Sequence, residues 1–118
     1  MYFSTVVLST LLATLSSATI ILGNAVYNSD GHKDTAVWIQ GQDPCAYTYM
    51  GHGSPCAWDG GRFVASNTFH YRIVNCDNGQ PFTLQNEDGS KNAEAVFHPI
   101  DNLVHCPGGY TMGQTWVF

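Results

Sequence analysis

The sequence predicts an all-β fold: a small disulfide-linked β-sandwich or barrel of about seven to nine short antiparallel strands. Three observations predict it. Helix formers are scarce after residue 18, where only three leucines remain (Leu22, Leu84 and Leu103), while Gly, Asn, Asp, Thr, Val and aromatic residues abound. That composition suits pleated strands and tight turns. Turn signals recur at intervals of about ten residues, as in small all-β domains. Four cysteines, Cys45, Cys56, Cys76 and Cys106, follow a leader that directs the chain to an oxidising compartment.

Residues 1–18, MYFSTVVLSTLLATLSSA, carry no charge and end in Ser16-Ser17-Ala18. Small residues at the last and third-last positions suit signal peptidase, and the apolar run is too short to span a bilayer. The expectation is a signal peptide over 1–18, a secreted, extracellular protein, and one β domain over 19–118. Gly23-Asn24-Ala25 offers a second cleavage site. With 100 residues left after the leader, the core is modest. Two disulfides would each add about 2–4 kcal/mol by restricting the unfolded chain.

The elements follow in order. Residues 19–27 are apolar and read as a first strand, closed by the turn Asn28-Ser29-Asp30-Gly31. Residues 35–40 make a second strand, which Asp43-Pro44 ends. Residues 45–50 make a third, in which Tyr47 and Tyr49 would share a face by period two. Residues 51–56 are a loop and Asp59-Gly60-Gly61 a turn. A short strand over 62–65 precedes the clearest alternation, 68–75, where Phe69, Tyr71 and Ile73 face one way and His70 and Arg72 the other. Residues 82–85 form a strand, Asp88-Gly89-Ser90 a hairpin turn, and 93–97 the returning strand. Pro107-Gly108-Gly109 turns the chain into a last strand over 115–118. No internal repeat or linker divides the domain.

Charge excludes several functions. Four Lys and Arg stand against nine Asp and Glu, for a net charge of −5. A duplex nucleic-acid binder needs a basic stripe, and four scattered cations do not make one. No second long apolar run follows the leader, so stable membrane association is not expected either. Protonating all five histidines would cancel the net charge in a mildly acidic medium. The sequon Asn-X-Ser/Thr is absent, so N-glycosylation is not expected.

Four cysteines allow three pairings. The expected one is Cys45–Cys56, closing a short loop, with Cys76–Cys106 tying a central strand to the C-terminal region. Their spacing does not match a zinc site.

Two constellations could carry function. Tyr47, Tyr49, His52 and Trp58, in and just beyond the Cys45–Cys56 loop, would form an aromatic platform for a protein or a sugar face. His70, Arg72, Glu87 and His98 supply the base, acid and phosphate-holding groups of a small hydrolase of ribonuclease type. No G-x-S-x-G nucleophile elbow is present. Asp30-Gly31-His32-Lys33-Asp34 gathers metal-ligand types but lacks the spacing and closing Glu of a calcium loop, and reads as a solvated polar turn. No metal and no cofactor are expected.

The Ser/Thr-rich leader 1–18, the four spaced cysteines and the Gly/Asn/Asp turns together resemble the small secreted cysteine-containing proteins of filamentous fungi. That resemblance implies a virulence effector or elicitor acting on a host, or an antagonist of competing microbes. Antimicrobial members are usually cationic and denser in cysteine. This chain is acidic with four, which favours the effector side. The expectation is therefore a monomeric, non-enzymatic protein contacting a host protein or extracellular glycan through Tyr47, Tyr49, His52 and Trp58. A ribonuclease-like hydrolase and a secreted carbohydrate-binding module are the alternatives.

Overall fold

The computed structural model describes residues 19–77, 79 and 81–118. The leader expected over 1–18 lies outside the described residues. Nine strands form two antiparallel sheets: β1 (Ile20–Tyr27), β2 (Lys33–Ile39), β3 (Thr48–Tyr49), β4 (Arg62–Val64), β5 (His70–Val74), β6 (Thr83–Asn86), β7 (Lys91–Glu94), β8 (Val96–Cys106) and β9 (Tyr110–Val117). One sheet has the order β3-β2-β1-β9-β8 and the other β4-β5-β6-β7. Both are open, so the fold is a sandwich rather than a closed barrel.

The core between the sheets is lined by alternate residues from each. Ile20 and Leu22 from β1 and Val37 and Ile39 from β2 meet Met50, Phe63, Tyr71, Ile73 and Leu84. A second buried cluster lies on the other face of the five-stranded sheet, where Ile21, Ala25, Ala36, Trp38, Cys106 and Met112 pack with Cys45, Tyr47 and Tyr110. The centre of that sheet, β1 and β2, is buried on both faces. This explains why residues 20–22 of β1 and 36–39 of β2 are unbroken apolar runs instead of alternating. β1 also approaches β9 closely at a bulge after Leu22. A Cβ on Gly23 there would run into the Gly113 carbonyl and the Trp38 ring.

The four-stranded sheet is buried on one face only. Phe63, Tyr71, Ile73 and Leu84 point inward, whereas Arg62, Val64, His70 and Arg72 point outward. The predicted split of 68–75 holds for β5. Phe69 lies just before it and is 49 % exposed instead of sharing the buried face.

The disulfides are Cys45–Cys106 and Cys56–Cys76, not the short-loop pairing expected from sequence. The reason is which core each cysteine enters. Cys45 sits in the middle of a one-turn helix, Pro44–Ala46, and belongs with Cys106 to the outer cluster. Cys56 and Cys76 both pack against the core between the sheets. A Cys45–Cys56 bond would have to join opposite faces of the five-stranded sheet.

Two further expectations change. The strand expected over 93–97 is divided: β7 ends at Glu94 beside β6, and Val96 opens β8 in the other sheet. The last strand begins at Tyr110, five residues before the expected start. Cleavage after Ala25 would remove most of β1, a strand hydrogen-bonded on both sides. Among the described residues, no helix is long and apolar enough to cross a membrane.

Candidate functional site

The first site is built on Asp34. Period two places this carboxylate on the same face of β2 as Ala36 and Trp38, so it turns into the outer cluster and is only 6 % exposed. It is not part of a solvated turn, as the sequence suggested. A buried carboxylate needs partners, and the surrounding loops supply them. Thr35 straps the 50–53 loop to β2: its amide donates to the Gly51 carbonyl at 2.7 Å, its carbonyl accepts from the Met50 amide at 2.7 Å, and its hydroxyl donates to the Gly53 carbonyl at 2.5 Å. This brings His52 Nδ1 to 2.8 Å from Asp34 Oδ1, with His32 Nε2 at 3.7 Å from the same oxygen. Oδ1 has no aligned hydrogen-bond donor; its neighbours are these two imidazoles.

Asp34 Oδ2 accepts from the Tyr47 hydroxyl at 3.3 Å. Tyr47 shares a second hydrogen bond with the Tyr27 hydroxyl at 2.8 Å. Tyr27 stacks on His32 with centroids 4.4 Å apart, and Tyr110 closes the group by donating to the Cys45 carbonyl at 2.8 Å. Burial, the Tyr27 bond and the Asp34 charge together hold the Tyr47 phenol far above its ordinary pKa of 10.0. Asp30 braces the far side of His32. It accepts from the His32 amide and contacts the ring Nδ1, and the backbone bond first and the ring second hold its carboxyl below the ordinary 3.8.

The same carboxylate orients an outward shelf. His52 Nε2 lies 3.1 Å from the Tyr49 hydroxyl, and the Tyr49 ring meets Trp58 edge-on, with centroids 5.0 Å apart and planes at 79°. Trp58 is 47 % exposed. His52 thus has one ring nitrogen beside the Asp34 carboxylate and the other in a hydrogen bond with the Tyr49 hydroxyl. Hydroxyl, imidazole and carboxylate stand in the order of a nucleophilic relay. The His52 side chain is, however, 69 % exposed, so water reaches this set directly.

Of the residues expected to form one platform, Tyr49, His52 and Trp58 come together. Tyr47 turns inward to Tyr27 and Tyr110 and joins them only through Asp34. Sequence reasoning weighed His32 and Asp34 only as metal-ligand types in a solvated turn, and missed Tyr27 and Tyr110. The available signal was register: an Asp two and four positions before Ala36 and Trp38 lies on a buried face. Among the described residues, no group of three His, Cys, Asp or Glu side chains is arranged to hold a metal ion.

The second site is the outer face of the four-stranded sheet. Here Arg62, His70, Arg72, Gln85 and Glu87 line a cleft of about 360 Å³. Three of the four groups of the expected hydrolase set therefore meet. His98 does not line it; it lies on β8 in the other sheet, its carbonyl accepting from Gln114 Nε2 at 2.9 Å.

In comparisons with known proteins, no family profile matches this chain, no curated protein matches it, and no solved structure matches its fold.

Proposed function

We propose that this chain is an exported, non-enzymatic interaction protein, an effector or elicitor that contacts a host protein through the Tyr49–His52–Trp58 shelf. The observation that carries this reading is the half-exposed Trp58, held edge-on by a Tyr49 ring that His52 ties to a buried carboxylate. A pre-positioned Trp beside a Tyr is the usual composition of a binding hot spot, because large rigid rings lose little entropy on contact. The 79° angle between the rings argues for a protein partner over a glycan, since the two rings do not form the flat surface on which a sugar face would stack. The leader, the two disulfides and the absence of a nucleophile elbow support the same reading.

The test is saturable binding of the fluorescently labelled protein to plant and animal cell surfaces. Binding should disappear after the cells are treated with protease and survive glycosidase treatment. Trp58→Ala should lose about 2 kcal/mol or more of binding free energy while costing less than about 1 kcal/mol of stability. Equal binding by Trp58→Ala, or early melting of that variant, would overturn the assignment. Retention on insoluble chitin or glucan would point to the glycan reading. RNA or polysaccharide degradation between pH 4 and 8 that His70→Ala abolishes would point to the hydrolase.

A further inference from the structure

The chain carries four Lys and Arg side chains, and two of them stand side by side. Arg62 on β4 and Arg72 on β5 are direct cross-strand partners on the outer face. Like charges in that position repel, and the usual remedy is a carboxylate between them. Among the described residues, the ion pairs are those of His32, His52 and Lys91, and neither guanidinium is in one. The local backbone holds them instead. Residues 59–61 run left-handed for three residues, with φ of 50° at Asp59, 63° at Gly60 and 84° at Gly61. An Asp in that region is uncommon and is maintained by its surroundings. The turn aims two carbonyls at the pair: Arg62 Nη1 donates to the Asp59 carbonyl at 3.5 Å, and Arg72 Nε to the Gly60 carbonyl at 3.0 Å. Gly61 locks the turn against β5, because a Cβ there would strike the Ile73 carbonyl.

From this arrangement we infer that the cleft on the outer face of the four-stranded sheet binds an oxyanion, the phosphate or sulfate monoester group of a small ligand, between Arg62 and Arg72. The Nε bond of Arg72 leaves both of its terminal nitrogens free, and Arg62 has one terminal nitrogen and its Nε uncommitted. Two such forks match a tetrahedral group with three terminal oxygens. A carboxylate, with two, would fill only one fork. Gln85, opposite Arg72 in register, adds an amide, and His70 lies one step along the same face. The cleft, about 360 Å³ in volume, has room for a sugar-sized body beyond the anion. Asp59 and Glu87 also line the cleft. Their carboxylates offer acceptors for hydroxyls and repel a polyanion, which favours a single ester over a nucleic-acid strand. This site is separate from the Trp58 shelf and does not depend on the function proposed for it.

The experiment is a nuclear magnetic resonance titration of the full disulfide-bonded protein at low salt. Inorganic phosphate, sulfate and acetate are compared first, then glucose 6-phosphate and glucose 6-sulfate. Phosphate or sulfate should move the Nε–H signals of Arg62 and Arg72 and the amides of residues 59–61 saturably, and acetate should bind at least tenfold more weakly. The tighter sugar ester identifies the natural group. Arg62→Gln and Arg72→Gln should each lower affinity tenfold or more, whereas Lys91→Gln, outside the cleft, should not. Arg62→Lys and Arg72→Lys keep the charge and lose the fork, so they should weaken binding too, and they decide the matter if the Gln variants unfold. No saturable binding, acetate as tight as phosphate, or full affinity in the Lys variants would overturn the inference.

Discussion

In the five-stranded sheet β1 and β2 are buried on both faces, whereas the four-stranded sheet keeps one face open. The two regions use their polar residues accordingly. Where the larger sheet turns a carboxylate inward, at Asp34, two imidazoles and a phenol converge on it. Where the smaller sheet turns two guanidinium groups outward, neither is in an ion pair among the described residues, and the backbone of one turn positions them. A charge taken out of water must be matched by its own chain. A charge left at the surface can wait for a ligand. The difference shows how to tell a structural polar cluster from a receptive one: by whether the molecule has already satisfied it.

The largest effects should come from the disulfides. Removing Cys45–Cys106, which spans 61 residues, should cost about 4 kcal/mol, and removing Cys56–Cys76, which spans 20, about 3 kcal/mol, by the entropy of the loops they close. Urea unfolding of the two double Ala variants measures both. The reverse order would mean that the outer cluster contributes little and that the contrast between the sheets is overdrawn.

Next come the two glycines that pin each sheet. Gly61→Ala adds a left-handed residue and a backbone collision, and should cost about 2–4 kcal/mol. Gly23→Ala has the collision alone and should cost about 1–3 kcal/mol. Only Gly61→Ala should also disturb the Arg62 and Arg72 side-chain signals.

A third comparison separates hub from shelf. Asp34→Ala strands the His52 and Tyr47 donors and should cost about 1–3 kcal/mol. Trp58→Ala removes a half-exposed ring and should cost less, below about 1 kcal/mol, while affecting binding more. Equal melting temperatures for the two variants would show that Asp34 has no structural role.

The smallest effects are in pH. The Asp30 carboxyl lies below its ordinary 3.8, so its contribution is present above that value and is lost as the pH falls through the lower folded value. Asp30→Asn should therefore flatten the acid limb of the stability curve below pH 3.8. The Tyr47 phenol is raised, so its contribution is present below pH 10.0 and fades as the pH climbs above it. Tyr47→Phe should flatten the alkaline limb, as read by melting temperature against pH.

Much of the sandwich was legible in the sequence. The turns at 28–31, 59–61 and 88–90 mark real strand ends, and β5 shows its alternation because only one of its faces is buried. The long β8 left little trace. It is an edge strand, exposed over most of its length, with Pro99 and Asp101 breaking any apolar pattern. The start of β9 was hidden by Gly113 and Gln114, which serve the close approach to β1 and β8 rather than a hydrophobic face. Tyr49, His52 and Trp58 were readable because they are near in sequence. The partnership of Asp34 with His52 and Tyr47, and of Arg62 with Arg72, depends on which strands lie side by side, and no local spacing carries that. The cysteines failed for the same reason: loop length favoured a short bridge, but each sulfur follows the core it enters.

One consequence of the strand order concerns timing. β1 is synthesised before every other strand, yet one of its two neighbours is β9, with Ile21 opposite Val117. Until the ribosome has released β9, the nascent chain holds an open, strongly apolar edge on β1. Such distant pairing makes for slow assembly and prolonged exposure. Native pairing of β1 must therefore wait until β9 has emerged.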